Sequence, residues 1–108
     1  MKTDPHALAI TRRDDGGLSL RGDLDYTTAP EFTAALAALP LPEGATLTLD
    51  LGGLGFCDSS GLSVLLNAYK KASAVGGTLA VSAIDPNLER MLMITGLAHL
   101  FLPQHHDA

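Results

Sequence analysis

Residues Leu47 to Gly61 read Leu-Thr-Leu-Asp-Leu-Gly-Gly-Leu-Gly-Phe-Cys-Asp-Ser-Ser-Gly, and this stretch constrains the fold more than any other. Its alternating apolar start is the pattern of a half-buried strand. The run ends in a glycine-rich turn, and a helical pattern begins behind Asp58. Two hydroxyls, Ser59 and Ser60, therefore sit at a helix N-terminus beside the mouth of a sheet. Backbone N–H groups and the helix dipole favour an anion at such a place. A phosphate on the serine can be held there without melting the helix, and its charge changes how the surface meets a partner. The segment points to a switch more than to a catalyst.

The rest of the chain supplies neighbours for that unit. Leu8 to Thr11 and Leu18 to Arg21 flank Asp14-Asp15-Gly16-Gly17, the pattern of a β-hairpin. Thr27 and Thr28 offer an N-cap, Pro30 suits a first helical turn, and Glu31 adds first-turn negative charge. Phe32, Ala35, Leu36 and Leu39 make one apolar face, and Pro40 and Pro42 stop the helix. Ala45 to Leu51 reads as a central strand. The helix behind Asp58 shows Leu62, Leu65, Leu66, Tyr69 and Ala72 on one face, with Ser63, Asn67, Lys70 and Lys71 opposite, and Gly76-Gly77 closes it. Leu79, Val81 and Ala83 form a further strand. Asp85-Pro86 opens a helix through Leu88, Met91, Leu92 and Thr95, closed by Gly96, and Leu100 to Leu102 form a last short strand. The order β-β-α-β-α-β-α-β predicts an α/β domain, a mixed sheet with parallel crossovers and helices packed on it. At 108 residues the chain is one domain, with 103–108 a frayed tail.

Composition removes several functions. Acids number 12 against 7 Lys plus Arg, a net charge of -5. Nucleic-acid binding needs clustered phosphate-neutralising cations, and Arg12-Arg13 with Lys70-Lys71 are thin material for it. The balance favours a protein partner with basic groups. No apolar run approaches the ~20 residues of a membrane span, and Met1 to His6 holds no apolar h-region. Membrane insertion and secretion are not expected. The single cysteine, Cys57, excludes an internal disulfide and fits a cytoplasmic protein. His6, His99, His105 and His106 lack metal-ligand spacing, so neither a metal nor a cofactor is expected. Cys57-x-Ser59-x-Gly61 nearly matches the Gly-x-Ser-x-Gly nucleophile elbow, and Asp85 and His99 follow in Ser–Asp–His order. The first glycine is replaced by Cys57, and no second loop offers an oxyanion hole. No phosphate-cradling Gly-Lys-Ser/Thr loop is present either, so the chain reads as a non-enzyme.

Phe56-Cys57-Asp58-Ser59-Ser60-Gly61-Leu62 resembles the phosphoacceptor loop of STAS-domain anti-sigma-factor antagonists. The resemblance covers almost the whole chain. Gly22-Asp23-Leu24-Asp25 before Thr28-Ala29 resembles that family's second strand and the approach to its first helix. Leu49-Asp50-Leu51 followed by Phe56 resembles the core strand, and Gly76-Gly77 and Thr95-Gly96-Leu97 resemble later landmarks. The resemblance implies a STAS-like fold, here without the family's usual C-terminal helix, which leaves part of the sheet or helical layer less covered. It also implies a partner-switching cycle. The serine directly after the aspartate is the family's phosphoacceptor, which carries over to Ser59, with Ser60 the runner-up. An anti-sigma factor with serine-kinase activity binds the unphosphorylated antagonist, and a sigma factor is freed. Phosphorylation reverses the binding, and a serine phosphatase resets the cycle.

Each candidate also has a plain structural reading. Ser59 can serve as a helix cap, a role compatible with phosphorylation. Asp58 caps the helix, or else positions Ser59 or contacts the kinase. Gly61 lets a partner approach closely, or allows tight helix–sheet packing. The resemblance places Asp23 and Asp25 beside the serine loop as kinase-docking residues, while their own chemistry reads as turn-forming acids. The expected partner-binding set is Asp23, Asp25, Asp58, Ser60 and Gly61. The alternative function is a non-switching STAS interaction module in a transporter-associated or multi-protein signalling complex.

Overall fold

The acidic Gly-Gly corner turns the chain back on itself. Arg13 donates its N–H to the Gly17 carbonyl at 2.9 Å, Gly16 donates to the Arg13 carbonyl at 3.0 Å, and the Asp15 carboxylate accepts from the Gly17 N–H at 3.0 Å. The strands it joins, β1 (Leu8–Arg12) and β2 (Leu18–Leu24), pair antiparallel as the hairpin pattern predicts. The computed structural model describes residues 7–101. After β2, helix α1 (Ala29–Ala38) carries the chain to β3 (Thr46–Cys57), and α2 (Ser59–Ala74) carries it to β4 (Thr78–Ile84). Both crossovers return parallel, and the sheet order is β1-β2-β3-β4. Helix α3 (Pro86–Ile94) and a single turn, α4 (Ala98–Phe101), follow.

Alternation decides which face is covered. Leu18, Leu20, Leu47, Leu49 and Leu51 point into one core with Phe32 and Leu36 of α1, Leu65 and Ala68 of α2, and Leu88 and Leu92 of α3. Each large aliphatic side chain removed from water in this way stabilises the fold by about 1.5–3 kcal/mol. Ser19, Arg21, Thr48 and Asp50 turn the other way and keep contact with solvent, and there Arg13 pairs with Asp50 at 3.4 Å.

Three differences from the sequence pattern have physical causes. The glycine-rich stretch after Leu51 is not a turn. It continues β3 to Cys57, still paired with β2 through Gly53, Leu54, Phe56 and Cys57. Two register shifts absorb the extra residues, as bulges do. On α2 the buried face is rotated from the one expected. Gly61, Val64, Leu65, Ala68 and Ala72 are buried, whereas Leu62, Leu66 and Tyr69 are half-buried, because the small residues let the helix lie close to the sheet. At the C-terminal end, the last short strand expected over Leu100 to Leu102 is replaced by helix at Ala98–Phe101, and Leu102 lies outside the described residues. The cause starts at Gly96, which adopts φ 79 after α3 and lets the Leu97 N–H return to the Leu92 carbonyl at 2.8 Å. The chain then turns at once, and Phe101 is buried with its ring 6.4 Å from that of Tyr69.

Because β2, β3 and β4 are parallel, their C-terminal ends share one end of the sheet. The three strand-to-helix junctions therefore line that end. Register ties them together: Asp58 N–H donates to the Leu24 carbonyl at 3.2 Å, and Asp85 N–H to the Leu51 carbonyl at 3.1 Å.

Candidate functional site

At the β3–α2 junction Asp58 is extended and stands as the N-cap of α2. Its Oδ1 accepts from the Gly61 N–H at 2.9 Å, satisfying one of the orphan donors of the first turn. Its Oδ2 reaches another loop and accepts from the Tyr26 N–H at 3.1 Å. Ser59 opens the helix and is exposed, and its hydroxyl takes no part in this cap. Ser60 is half-buried. Gly61 is buried, and a Cβ there would stand 2.5 Å from the Leu24 carbonyl oxygen and 2.7 Å from Cys57 Sγ. Close packing of α2 on the end of β2 therefore accounts for this glycine.

The β2–α1 junction is built from Asp25, Thr27 and Thr28. Asp25 Oδ1 accepts from the Thr27 hydroxyl at 2.6 Å, the Thr27 N–H at 3.0 Å and the Thr28 N–H at 3.1 Å. The Thr27 hydroxyl leads in holding the Asp25 carboxyl below its ordinary value; burial opposes it, and the Thr28 and Thr27 amides add to it. Thr28 occupies the N-cap position of α1, but its hydroxyl does not cap. It turns back, donating to the Asp23 carbonyl at 2.8 Å and accepting from the Asp25 N–H at 2.9 Å. Asp23 is half-buried and lies in register with Phe56.

The structure thus gathers Asp23, Asp25, Asp58, Ser59, Ser60 and Gly61 at one end of the sheet. It adds two residues that the sequence reading left aside. Tyr26, in the β2–α1 loop, is 73% exposed, and Phe56, near the end of β3, is 51% exposed. Aromatic side chains are enriched at protein–protein contacts relative to the rest of a protein surface. Tyr26 was detectable as an aromatic inside an otherwise polar turn. Phe56 was not, because strict alternation from Leu54 would bury it; the register shift opposite Gly22 and Asp23 turns it outward.

The hydrolase-like constellation does not assemble. Asp85 is occupied as the N-cap of α3, accepting from the Asn87 N–H at 2.9 Å. His99 lines a hollow of about 420 Å³ with Tyr69, Ser73 and Phe101 at the far end of α2. Tyr69 alone is about 15 Å along the helix from Ser59 at 1.5 Å per residue. Burial, with a smaller push from the Asp58 charge, raises the Cys57 thiol to about 12. Among the described residues no group of three His, Cys, Asp or Glu could hold a metal ion, and no helix is long and apolar enough to cross a membrane. His6, His105 and His106 lie outside the described residues.

Residues 8–103 match the family described as Mlab, STAS domain. Over 96 residues the chain is 30% identical to the anti-sigma-B factor antagonist of Listeria monocytogenes, covering 87% of this chain and 84% of the relative. The chain belongs to the STAS-domain family of anti-sigma-factor antagonists. An anti-sigma F factor antagonist of Paenibacillus polymyxa is 35% identical over 79 residues, 72% of this chain and 68% of its own. The crystal structure of an anti-sigma factor antagonist from Mycobacterium paratuberculosis superposes with a TM-score of 0.74 at 28% identity, covering 95% of this chain and 92% of that one. In this STAS domain the parallel β2-β3-β4 core brings its strand ends, and with them Ser59, to one end of the sheet.

Proposed function

We propose that this STAS protein is an anti-sigma-factor antagonist whose binding is switched by phosphorylation of Ser59. The observation that carries the reading is the exposed Ser59 at the first position of α2, beside a carboxylate whose two oxygens are already engaged. Unphosphorylated, the surface around Tyr26, Phe56 and Ser59 docks an anti-sigma factor that is also a serine kinase, and a sigma factor is released. Asp23, Asp58, Ser60 and Gly61 contribute to that surface, while Asp25 shapes the loop that presents Tyr26. In the switching step Ser59 Oγ bonds to the γ-phosphorus of ATP, the bond to the β-phosphate oxygen breaks, and ADP leaves. The hydroxyl proton passes to a base on the kinase. The kinase supplies that base, the Mg²⁺ and the phosphate cradle. The added dianion turns an already acidic surface against its partner, and a serine phosphatase restores it. The cycle runs in the cytoplasm.

The test is intact mass and peptide mapping of the protein from its own cells, with and without phosphatase. The expected result is a phosphatase-sensitive adduct of about 80 Da, one phosphoryl group, on Ser59. Ser59→Ala should stay bound to the anti-sigma factor when ATP is added, and Ser59→Asp should bind weakly. An unmodified chain in growth and stress alike, with equal binding by both variants, overturns the switch and favours a non-switching interaction module.

A further inference from the structure

Asp58 ties two loops that are 32 residues apart in sequence. Its bond to the Gly61 N–H belongs to the α2 cap, but its bond to the Tyr26 N–H does not. The β2–α1 loop also has bonds of its own, from the Thr27 and Thr28 groups to Asp25. The Tyr26 N–H instead points out of that loop, and the Tyr26 ring stands free in solvent. One oxygen of one carboxylate therefore joins the backbone of the most exposed aromatic of this surface to the residue next to Ser59.

We propose that Asp58 is a positioning residue that couples the charge on Ser59 to the placement of Tyr26. The inference rests on the reading of Ser59 as phosphoacceptor. A phosphate on Ser59 Oγ puts a near-dianion on the residue next to the Asp58 carboxylate. Both anions are drawn to the same positive feature, the N–H groups of the first turn of α2. Their repulsion is relieved where the carboxylate is held most weakly. That is the longer, exposed contact to Tyr26, at 3.1 Å, and not the 2.9 Å cap to Gly61. The Tyr26 N–H then loses its bond to the Asp58 carboxylate, while α2 keeps its cap and the Asp58 N–H keeps its bond to the Leu24 carbonyl. A partner that seats the Tyr26 ring thereby meets a displaced anchor as well as a new charge.

Amide hydrogen exchange of the full chain, read residue by residue by NMR, tests this with phosphoserine installed at position 59 during translation, so that no kinase is needed. Tyr26 N–H should exchange about tenfold faster in the phosphoserine protein than in the unmodified one, as expected for loss of one charge-assisted hydrogen bond. Gly61 N–H should be unchanged. Asp58→Asn keeps an oxygen for Gly61 and is itself a good cap, but it turns an N–H₂ toward Tyr26. In that variant Tyr26 should exchange fast with or without the phosphate. Equal Tyr26 exchange in modified and unmodified wild-type protein overturns the coupling. A phosphate effect that persists in Asp58→Asn overturns the role of Asp58. Discovery of the cellular phosphate on another residue would overturn the reading of Ser59 without altering this measurement, so the two failures are distinguishable.

Discussion

Asp25-Tyr26-Thr27-Thr28 and Asp58-Ser59-Ser60-Gly61 lead from neighbouring parallel strands into α1 and α2 with the same local geometry. In each, the aspartate Oδ1 accepts from the N–H three residues on, at 3.1 Å to Thr28 and 2.9 Å to Gly61. In each, its carbonyl accepts from the N–H four residues on, at 2.7 Å from Ala29 and 2.9 Å from Leu62. The side chains then diverge. Asp25 is buried, and both threonines close back on it or on its backbone. Asp58 keeps its second oxygen for another loop, and the serine after it faces solvent. In one junction the aspartate Oδ1 gathers groups of its own loop. In the other a second carboxylate oxygen reaches across to the first junction, and the serine beside it is exposed. A shared backbone solution can thus serve scaffolding in one place and signalling in another, with the difference carried by a few hydroxyls and one glycine.

That contrast can be broken by mutation. The largest effect is expected for Gly61→Ala, because the new Cβ meets a backbone carbonyl rather than a flexible chain end. Overpacking of this kind costs about 3 kcal/mol, read as a fall in the urea midpoint. Thr28→Ala, the matching position of the other junction, strips the hydroxyl from the buried Asp25 N–H and the Asp23 carbonyl. Its expected cost is about 2 kcal/mol; a larger loss than for Gly61→Ala would reverse the ranking. Asp58→Ala removes a cap and should cost about 1 kcal/mol in the same assay.

Thr27→Val bears on acid stability. The folded-state pKa of Asp25 lies below its ordinary value, so its contribution is complete above the unfolded carboxylate pKa of about 3.9 and is lost as pH falls through the folded one. Removing the Thr27 hydroxyl, the leading cause, should make unfolding free energy fall less between neutral and strongly acidic pH than it does in wild type. An identical acid slope would show that this hydroxyl does not set the carboxyl. Ser59→Ala closes the series with the smallest effect on stability, within about 0.5 kcal/mol, as for a surface position. A larger loss would make Ser59 a structural cap and bring the two junctions together.

What could be seen in the sequence follows from the range of the interactions involved. The period-2 run Leu47, Leu49, Leu51 and the Gly76 and Gly96 helix ends are local signals, and they appear where expected: the Gly76 and Gly77 N–H groups both return into the end of α2, to Ser73 and Ala72. The aspartate before Ser59 was likewise recognisable as a cap. Non-local effects were hidden. Whether Gly52 and Gly53 turn or continue a strand depends on β2 lying alongside, and the exposure of Phe56 depends on the register shift that β2 imposes. The bond from Asp58 to Tyr26 exists only because parallel pairing brings the ends of β2 and β3 level, Leu24 opposite Cys57. Leu100 carries a strand-like apolar run, but the Gly96 turn redirects it into helix.

Cys57 stands immediately beneath this junction, buried, with Sγ 3.6 Å from the Asp58 carbonyl oxygen. Peroxides and disulfides react with a thiolate, and a thiol pushed up to about 12 holds almost none at cellular pH. The buried sulfur of this junction is therefore a poor nucleophile toward such oxidants. Thiol-directed oxidation would be slow at this junction, and a substitution that exposed Cys57 would be expected to quicken it.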